Sequence, residues 1–392
     1  MGFADELGRL TAPGTTVDQL RGPAPAGWEP GVKYEPDGTR VVTSGPMADA
    51  DDPGPVLQAM GVTIPDGFRA RLAEVRHDPA AWTRAEQGED AVTVPVIRCR
   101  WVLEPAPANI DVDELLAAIG KPKKPAPSSV SGQTFVFAAG DLQLGKPDND
   151  GSAGTVERFL TSLDRAVARY KALRKRGDAG PVLLAWLGDC IEGTESQGSR
   201  LLARLDLTVT EQVRVYRRLM AAQVAAFAEL SDDVTVAVVP GNHDEAKRMG
   251  DKMATRYDDS WAIEGASQVA DVMAAKGYEV QWCFPDRDGL HLTIDVNGTR
   301  VGLLHGHQTR GKMQTWLANK ALDRDAIGTA DVVLSGHYHT LRLEHLGPTT
   351  WMQTGALDGG STWWAHRGGL SSPPASLTFL TRDGAWEGLE VV

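Results

Sequence analysis

Four apolar runs of strand length end alike, on a glycine followed by residues able to bind a cation or move a proton. TFVFAAGD ends on Asp141, LLAWLGD on Asp189, VTVAVVPGNHD on Asn242, His243 and Asp244, and ADVVLSGHYH on His337 and His339. A fifth run, VGLLHGH, delivers His305 and His307, and Gln143 follows Asp141 by two positions. Five of the nine histidines therefore sit in three short motifs. Carboxylate, imidazole and amide oxygen together form a mixed N/O donor set suited to divalent Mn, Fe or Zn. If His337-Tyr338-His339 is extended, alternate side chains point the same way and both imidazoles can face one site.

The elements that must carry these residues follow from the pattern around them. From residue 134 onward it predicts strands at 134–140, 181–188 and 234–239, separated by helices near 155–176 and 208–230. A further helix near 251–276 leads into β-rich sequence with hairpin signals at Asn297-Gly298 and Asp383-Gly384. Strands alternating with helices, then hairpins, indicate an α/β layered domain with helices outside the sheets. In such folds ligands gather beyond the carboxyl ends of the strands, where all the motifs fall.

Upstream, residues 1–53 are rich in Gly, Pro and acidic residues and read as a loosely structured segment, with a short hairpin at Asp37-Gly38. Residues 54–120 read as a small α+β module, with helical patches at PVLQAMG and GFRARLAEVR, a strand at AVTVPVIRCRWVL and a helix at DVDELLAAIG. KPKKPAPSSVSGQ, residues 121–133, has linker composition and leads into 134–392, which read as the domain that carries all the motifs.

Bulk properties narrow the function further. A formal charge of −12 over 392 residues argues against coating nucleic acid through a global field. It leaves room for local phosphate binding, because bound cations would add charge that composition does not display. Three widely spaced cysteines argue against a disulfide framework and fit a reducing cytoplasm. The apolar runs are too short to span a bilayer, and MGFADELGRL lacks a secretory pattern, so a cytoplasmic protein with no membrane association is expected.

Taken in order, Gly-Asp, Gly-Asp, Gly-Asn-His-Asp, His-Gly-His and Gly-His-x-His resemble the calcineurin-like metallophosphoesterase family over residues 134–360. The resemblance implies a layered β-sandwich flanked by helices, with two divalent ions, Mn before Fe, Zn or Mg. Asp141 and His339 would hold the first ion, Asn242, His305 and His337 the second, and Asp189 would bridge them. His243 would approach the scissile phosphate, with Asp244 orienting its ring, while a water or hydroxide on the ions attacks in line. GDLQLGK and the added N-terminal segment lean the resemblance toward SbcD-type DNA repair nucleases, including phage versions. That leaning implies DNA as substrate, a homodimer, and an ATPase partner on a separate chain, since no Walker-type loop is present.

Gln143 departs from the family pattern, which has histidine there. An amide oxygen is a weaker, harder donor, so a first site favouring Mn²⁺ over Zn²⁺ is expected, and a single-ion or impaired protein stays open. Three readings remain: a DNA phosphodiesterase, a phosphatase or small-nucleotide phosphodiesterase, and a metal-binding module without turnover. His307 fits a substrate contact or a hydrogen bond to a ligand equally well. His77, His291, His345 and His366 read as surface or packing residues, and KPDNDG as a solvated turn. RAVARYKALRKRG reads as a solvated helix face, and the Trp pair in STWWAHR as half core, half substrate wall.

Overall fold

The computed structural model describes residues 26–34, 40–44, 53–59, 61–64, 68–84, 92–105, 119–120, 122, 132–194, 205–246, 256–360 and 372–392. The chain divides into two compact units, Met1–Ala106 and Pro107–Val392.

The first unit is built on β1 (Gly31–Tyr34), β2 (Arg40–Thr43), the short helix α1 (Gly54–Ala59), β3 (Phe68–Arg84) and β4 (Val92–Pro105). Its strands form one antiparallel sheet in the order β1-β2-β4-β3, so the sheet runs across the boundary expected at residue 53. GFRARLAEVR, expected as a helix, is strand. The cause is a register shift between Leu72 and Glu74, which puts one extra residue into β3. Phe68, Leu72 and Val75 thereby come to share a sheet face at a spacing that imitates a helix stripe. The 35–39 turn and residues 111–118 of the expected DVDELLAAIG helix lie outside the described residues.

The second unit opens with β5 (Gln133–Ala139), α2 (Gly151–Arg176), β6 (Ala179–Trp186), α3 (Val209–Ala228) and β7 (Val234–Val238). It continues with α4 (Trp261–Lys276), β8 (Gln281–Cys283), β9 (His291–Val296), β10 (Thr299–Leu304) and α5 (Met313–Leu322). β11 (Val332–Ser335), β12 (Arg342–Leu346), β13 (Thr349–Gln353), β14 (Leu377–Arg382) and β15 (Ala385–Val391) complete it. Two sheets result, β15-β14-β5-β6-β7-β8 and β12-β13-β11-β10-β9.

Alternation along the strands explains the layers. Phe135, Phe137 and Ala139 of β5 pack with Phe159, Tyr170 and Phe227 of the helices. Val136 and Ala138, with opposite facing, join Leu183, Ala185 and Ala237 against Val301, Leu303, Leu334 and Met352 of the other sheet. A third cluster, with Leu304, Val333 and Trp351, places Met313 and Leu317 of α5 on the outer face of the second sheet. This unit is thus the mixed α/β layered sandwich expected.

Helix ends carry their own signals. Thr208 and Glu211 form a reciprocal capping box at the start of α3, and α2 stops at Gly177 with φ 83°. α4 begins at Trp261, later than its apolar pattern suggests, and residues 251–255 lie outside the described ones. Both hairpin signals hold: Asn297-Gly298 joins β9 to β10 and Asp383-Gly384 joins β14 to β15, each with positive φ at both residues. Among the described residues no helix is long and apolar enough to cross a membrane.

Candidate metal centre

Parallel pairing brings the strand ends together. β5, β6 and β7 run parallel in one sheet, and β10, β11 and β13 run parallel in the other. Their carboxyl ends deliver Asp141, Asp189 and Asn242 from the first sheet and His305, His337 and Asp358 from the second. Close approach then depends on Gly188, which has φ 82° and leaves only 2.6 Å between a hypothetical Cβ and the Gly241 nitrogen. No side chain fits there, so the loops carrying Asp189 and Asn242 can touch.

The Asp189 carboxylate is buried and divides its oxygens. Oδ1 accepts the His243 backbone N–H at 2.8 Å, and Oδ2 lies 3.0 Å from His305 Nε2. His305 Nδ1 is 2.7 Å from the Leu187 carbonyl, which can only accept, so Nδ1 holds a ring proton. Burial opposes a charge on this ring, but the Asp189 carboxylate pushes its pKa up to about 9, so a cation would bind at Nε2 by displacing a second proton there. His337 Nδ1 lies 3.2 Å from that same Nε2. Burial, with the His305 ring beside it, holds the His337 pKa down at about 4, which keeps this imidazole a neutral donor. Donor atoms of Asp189, His305 and His337 all lie within 4.8 Å of one another. Asn242 Oδ1 is buried without a hydrogen-bond partner. One carboxylate oxygen, two imidazole nitrogens and an orphaned amide oxygen fit a single divalent cation.

The group expected at the first ion does not fit so well. Asp141 Oδ2 accepts the His337 backbone N–H at 2.8 Å, and Oδ1 faces His339 Nε2 at 3.4 Å. Gln143 reaches His339 Nε2 with its amide nitrogen at 3.2 Å and Lys146 Nζ with its oxygen at 3.0 Å. An ammonium only donates, so the oxygen expected as a metal ligand is the atom given to Lys146. Lys146 also forms an ion pair with Asp358, and both side chains are buried, at 7% and 4% exposed. His339 Nδ1 in turn faces Asp358 Oδ2 at 3.6 Å.

Asp244 departs from its expected role. Its carboxylate accepts the backbone N–H groups of Asp189, Cys190, Ile191 and Gly241, which fixes the two loops rather than the imidazole of His243. Glu192 stands beside that ring instead, with Oε2 3.4 Å and its carbonyl 3.3 Å from Nδ1. Burial opposes a charge on His243, but the Asp189 and Glu192 carboxylates push its pKa up to about 10. Burial likewise opposes ionisation of Asp189, yet His305 and His243 hold its carboxyl well below the usual range.

The backbone is unusual at these residues. Asp141, Gln143, Asp189, His337 and His339 all have φ between 43° and 74°, the left-handed region that costs a non-glycine residue about 1–3 kcal/mol. His337-Tyr338-His339 is therefore a bend, and it is this conformation, rather than extension, that brings both imidazoles to the site. His307 begins a 3₁₀ turn, its ring centred 5.5 Å from that of His305 and 6.0 Å from that of His337, at the rim.

Other readings resolve simply. His291 pairs with Asp325 and His345 with Thr350, Asp150 pairs with Arg158, and Cys190 is a buried thiol whose pKa burial raises. Arg169 of the basic α2 stretch binds Thr378 and Gly388. The Trp363-Trp364 pair and His366 lie outside the described residues, as does the side chain of His77. Sequence reading missed Glu192, Lys146 and Asp358. Asp358 carries the familiar signal, since β13 is followed by TGALDGG, an apolar run yielding to glycine and aspartate.

Residues 216–366 match the family of the calcineurin-like phosphoesterase superfamily domain. That match begins downstream of Asp141 and Asp189. No curated protein matches the chain. Among solved structures it is similar to a predicted phosphoesterase from Streptococcus pneumoniae, at 12% identity and TM-score 0.32, covering 67% of this chain and 91% of that one. It is also similar to an archaeal phosphodiesterase, at 11% identity and TM-score 0.32, covering 66% and 99% of the two chains. Vacuolar protein sorting 29 from Cryptosporidium parvum shows 15% identity and TM-score 0.31, over 67% and 99%.

Proposed function

We propose that the chain is a metal-dependent phosphoric ester hydrolase acting on DNA phosphodiesters, an SbcD-type exo- or endonuclease that uses Mn²⁺. The carrying observation is the convergence of Asp189, His305 and His337, together with an unpartnered Asn242 oxygen on the loop whose next residue donates its N–H to Asp189. A divalent ion held by these four residues would supply Lewis acidity toward a phosphoryl oxygen and acidify a water.

The protein's own groups then handle orientation and protons. The Asp189 carboxylate pins the His243 backbone, and Glu192 fixes the ring through Nδ1, whose neighbour at 3.3 Å is a carbonyl and so requires an N–H. Glu192, which would not ligate the ion, favours the protonated ring and so a second proton on Nε2. The ring is 21% exposed, so that proton can be offered to a phosphoryl or leaving-group oxygen. Asp244 holds four N–H groups of the loops that carry Asp189 and Asn242, and so keeps the donors in place.

A phosphatase or small-nucleotide phosphodiesterase is the second reading, favoured by the net charge of −12. Chelated protein reloaded with Mn²⁺ and given linear DNA, a chromogenic monoester and a bis-ester separates the two. We expect DNA degradation that Asp189→Asn and His243→Ala abolish. Monoester turnover without DNA cleavage would establish the second reading. Ion binding with no turnover of any ester would leave a metal-binding module.

A further inference from the structure

We infer that this chain is a one-ion protein in which the Lys146 ammonium, seated between Gln143 and Asp358, takes the place of the first metal ion. The inference rests on the phosphoesterase reading of the site and concerns how its positive charge is supplied. Four contacts carry it. Lys146 Nζ donates to Gln143 Oε1 at 3.0 Å and pairs with Asp358 Oδ2. The Gln143 amide nitrogen faces His339 Nε2 at 3.2 Å, so the lone pair that would bind metal meets an N–H. His339 Nδ1 faces Asp358 at 3.6 Å, which completes a closed ring of four side chains.

Of the donors expected at the first site, Gln143 and His339 are thus engaged within the protein, while Asp141 Oδ1 and Oδ2 of the bridging Asp189 have no hydrogen-bond partner. A divalent ion on Gln143 would sit against an ammonium bound to the same oxygen, and the repulsion would be steep in a buried setting. Lys146 is itself 7% exposed, and a buried ammonium persists where carboxylate and amide oxygens surround it, as they do here. Gln143 and Lys146 thus form one unit. The amide supplies an acceptor that an ammonium needs and a neutral histidine nitrogen already bound to metal could not. One divalent ion and one fixed ammonium would then flank the phosphate.

The test is a count of ions that does not depend on turnover. Full-length protein is chelated, saturated with Mn²⁺, desalted, and examined by elemental mass spectrometry and electron paramagnetic resonance. One Mn per chain with an uncoupled six-line spectrum is expected. Two per chain with an exchange-coupled spectrum overturns the inference while leaving the phosphoesterase reading intact; none at all overturns both. Gln143→His combined with Lys146→Ala is expected to raise the count from one to two and to introduce coupling. A folded double variant that stays at one ion would show that Lys146 is not what excludes the second. Lys146→Arg, which keeps the cation, is expected to remain at one, and a rise to two would contradict the proposal.

Discussion

Asp244 and His243 are adjacent in sequence but do different work. Asp244 is fully buried and accepts four backbone N–H groups, so Asp244→Ala would orphan all four. At roughly 1–3 kcal/mol per buried unsatisfied donor, with partial relaxation, a loss of about 3 kcal/mol or more is expected in urea unfolding. A change under about 1 kcal/mol would contradict the bracing role. His243→Ala should behave otherwise, because its ring is not among the donors that converge at Asp189, His305 and His337. Metal affinity should stay within a few-fold of the parent while turnover falls by about 10²–10⁴, the usual contribution of a positioned acid. If calorimetry shows Mn²⁺ affinity falling in step with turnover, His243 is a ligand and the assignment fails. Neither Glu192 nor the acceptor role of Asp244 was legible in the sequence. A carboxylate's partners are set by which loops meet, and no local pattern records that.

At the scale of elements, the sequence does disclose the strand endings. Apolar alternation, glycine and a polar residue are all local, which is why β5, β6, β7, β10 and β11 and their terminal residues could be read directly. Long-range pairing undid the reading of β3, where one extra residue against β4 changes the apparent period. The glycines permit a direct check of the loop geometry. Gly177 caps α2 at φ 83° with nothing within 4 Å of its hypothetical Cβ, so Gly177→Ala should cost only the about 1–2 kcal/mol of left-handed backbone. Gly188 has nearly the same φ but meets the Gly241 backbone, so Gly188→Ala must also force two ligand-bearing loops apart. Thermal unfolding should show both variants destabilised, Gly188→Ala the more, and only Gly188→Ala should lose Mn²⁺ affinity. Equal effects of the two on metal binding would refute the close-approach argument.

For the whole molecule, the three cores of the Pro107–Val392 unit are made entirely of its own residues. A chain lacking residues 1–106 is therefore expected to fold, to bind Mn²⁺ with unchanged affinity, and to retain hydrolysis of a small bis-ester. Loss of DNA cleavage alone in that truncation would assign the first unit to polymer handling. Equal loss on both esters would speak against any role specific to DNA. Overall charge was legible from composition, whereas the buried Lys146–Asp358 pair, 212 residues apart in sequence, becomes visible only once the sheets are assembled. Most directly at issue is whether a cation lodges where the strand ends meet. Crystals soaked in Mn²⁺ and measured at the manganese absorption edge should give an anomalous peak bonded to Asp189, Asn242, His305 and His337. A peak elsewhere, or none with those four side chains ordered, would contradict the account.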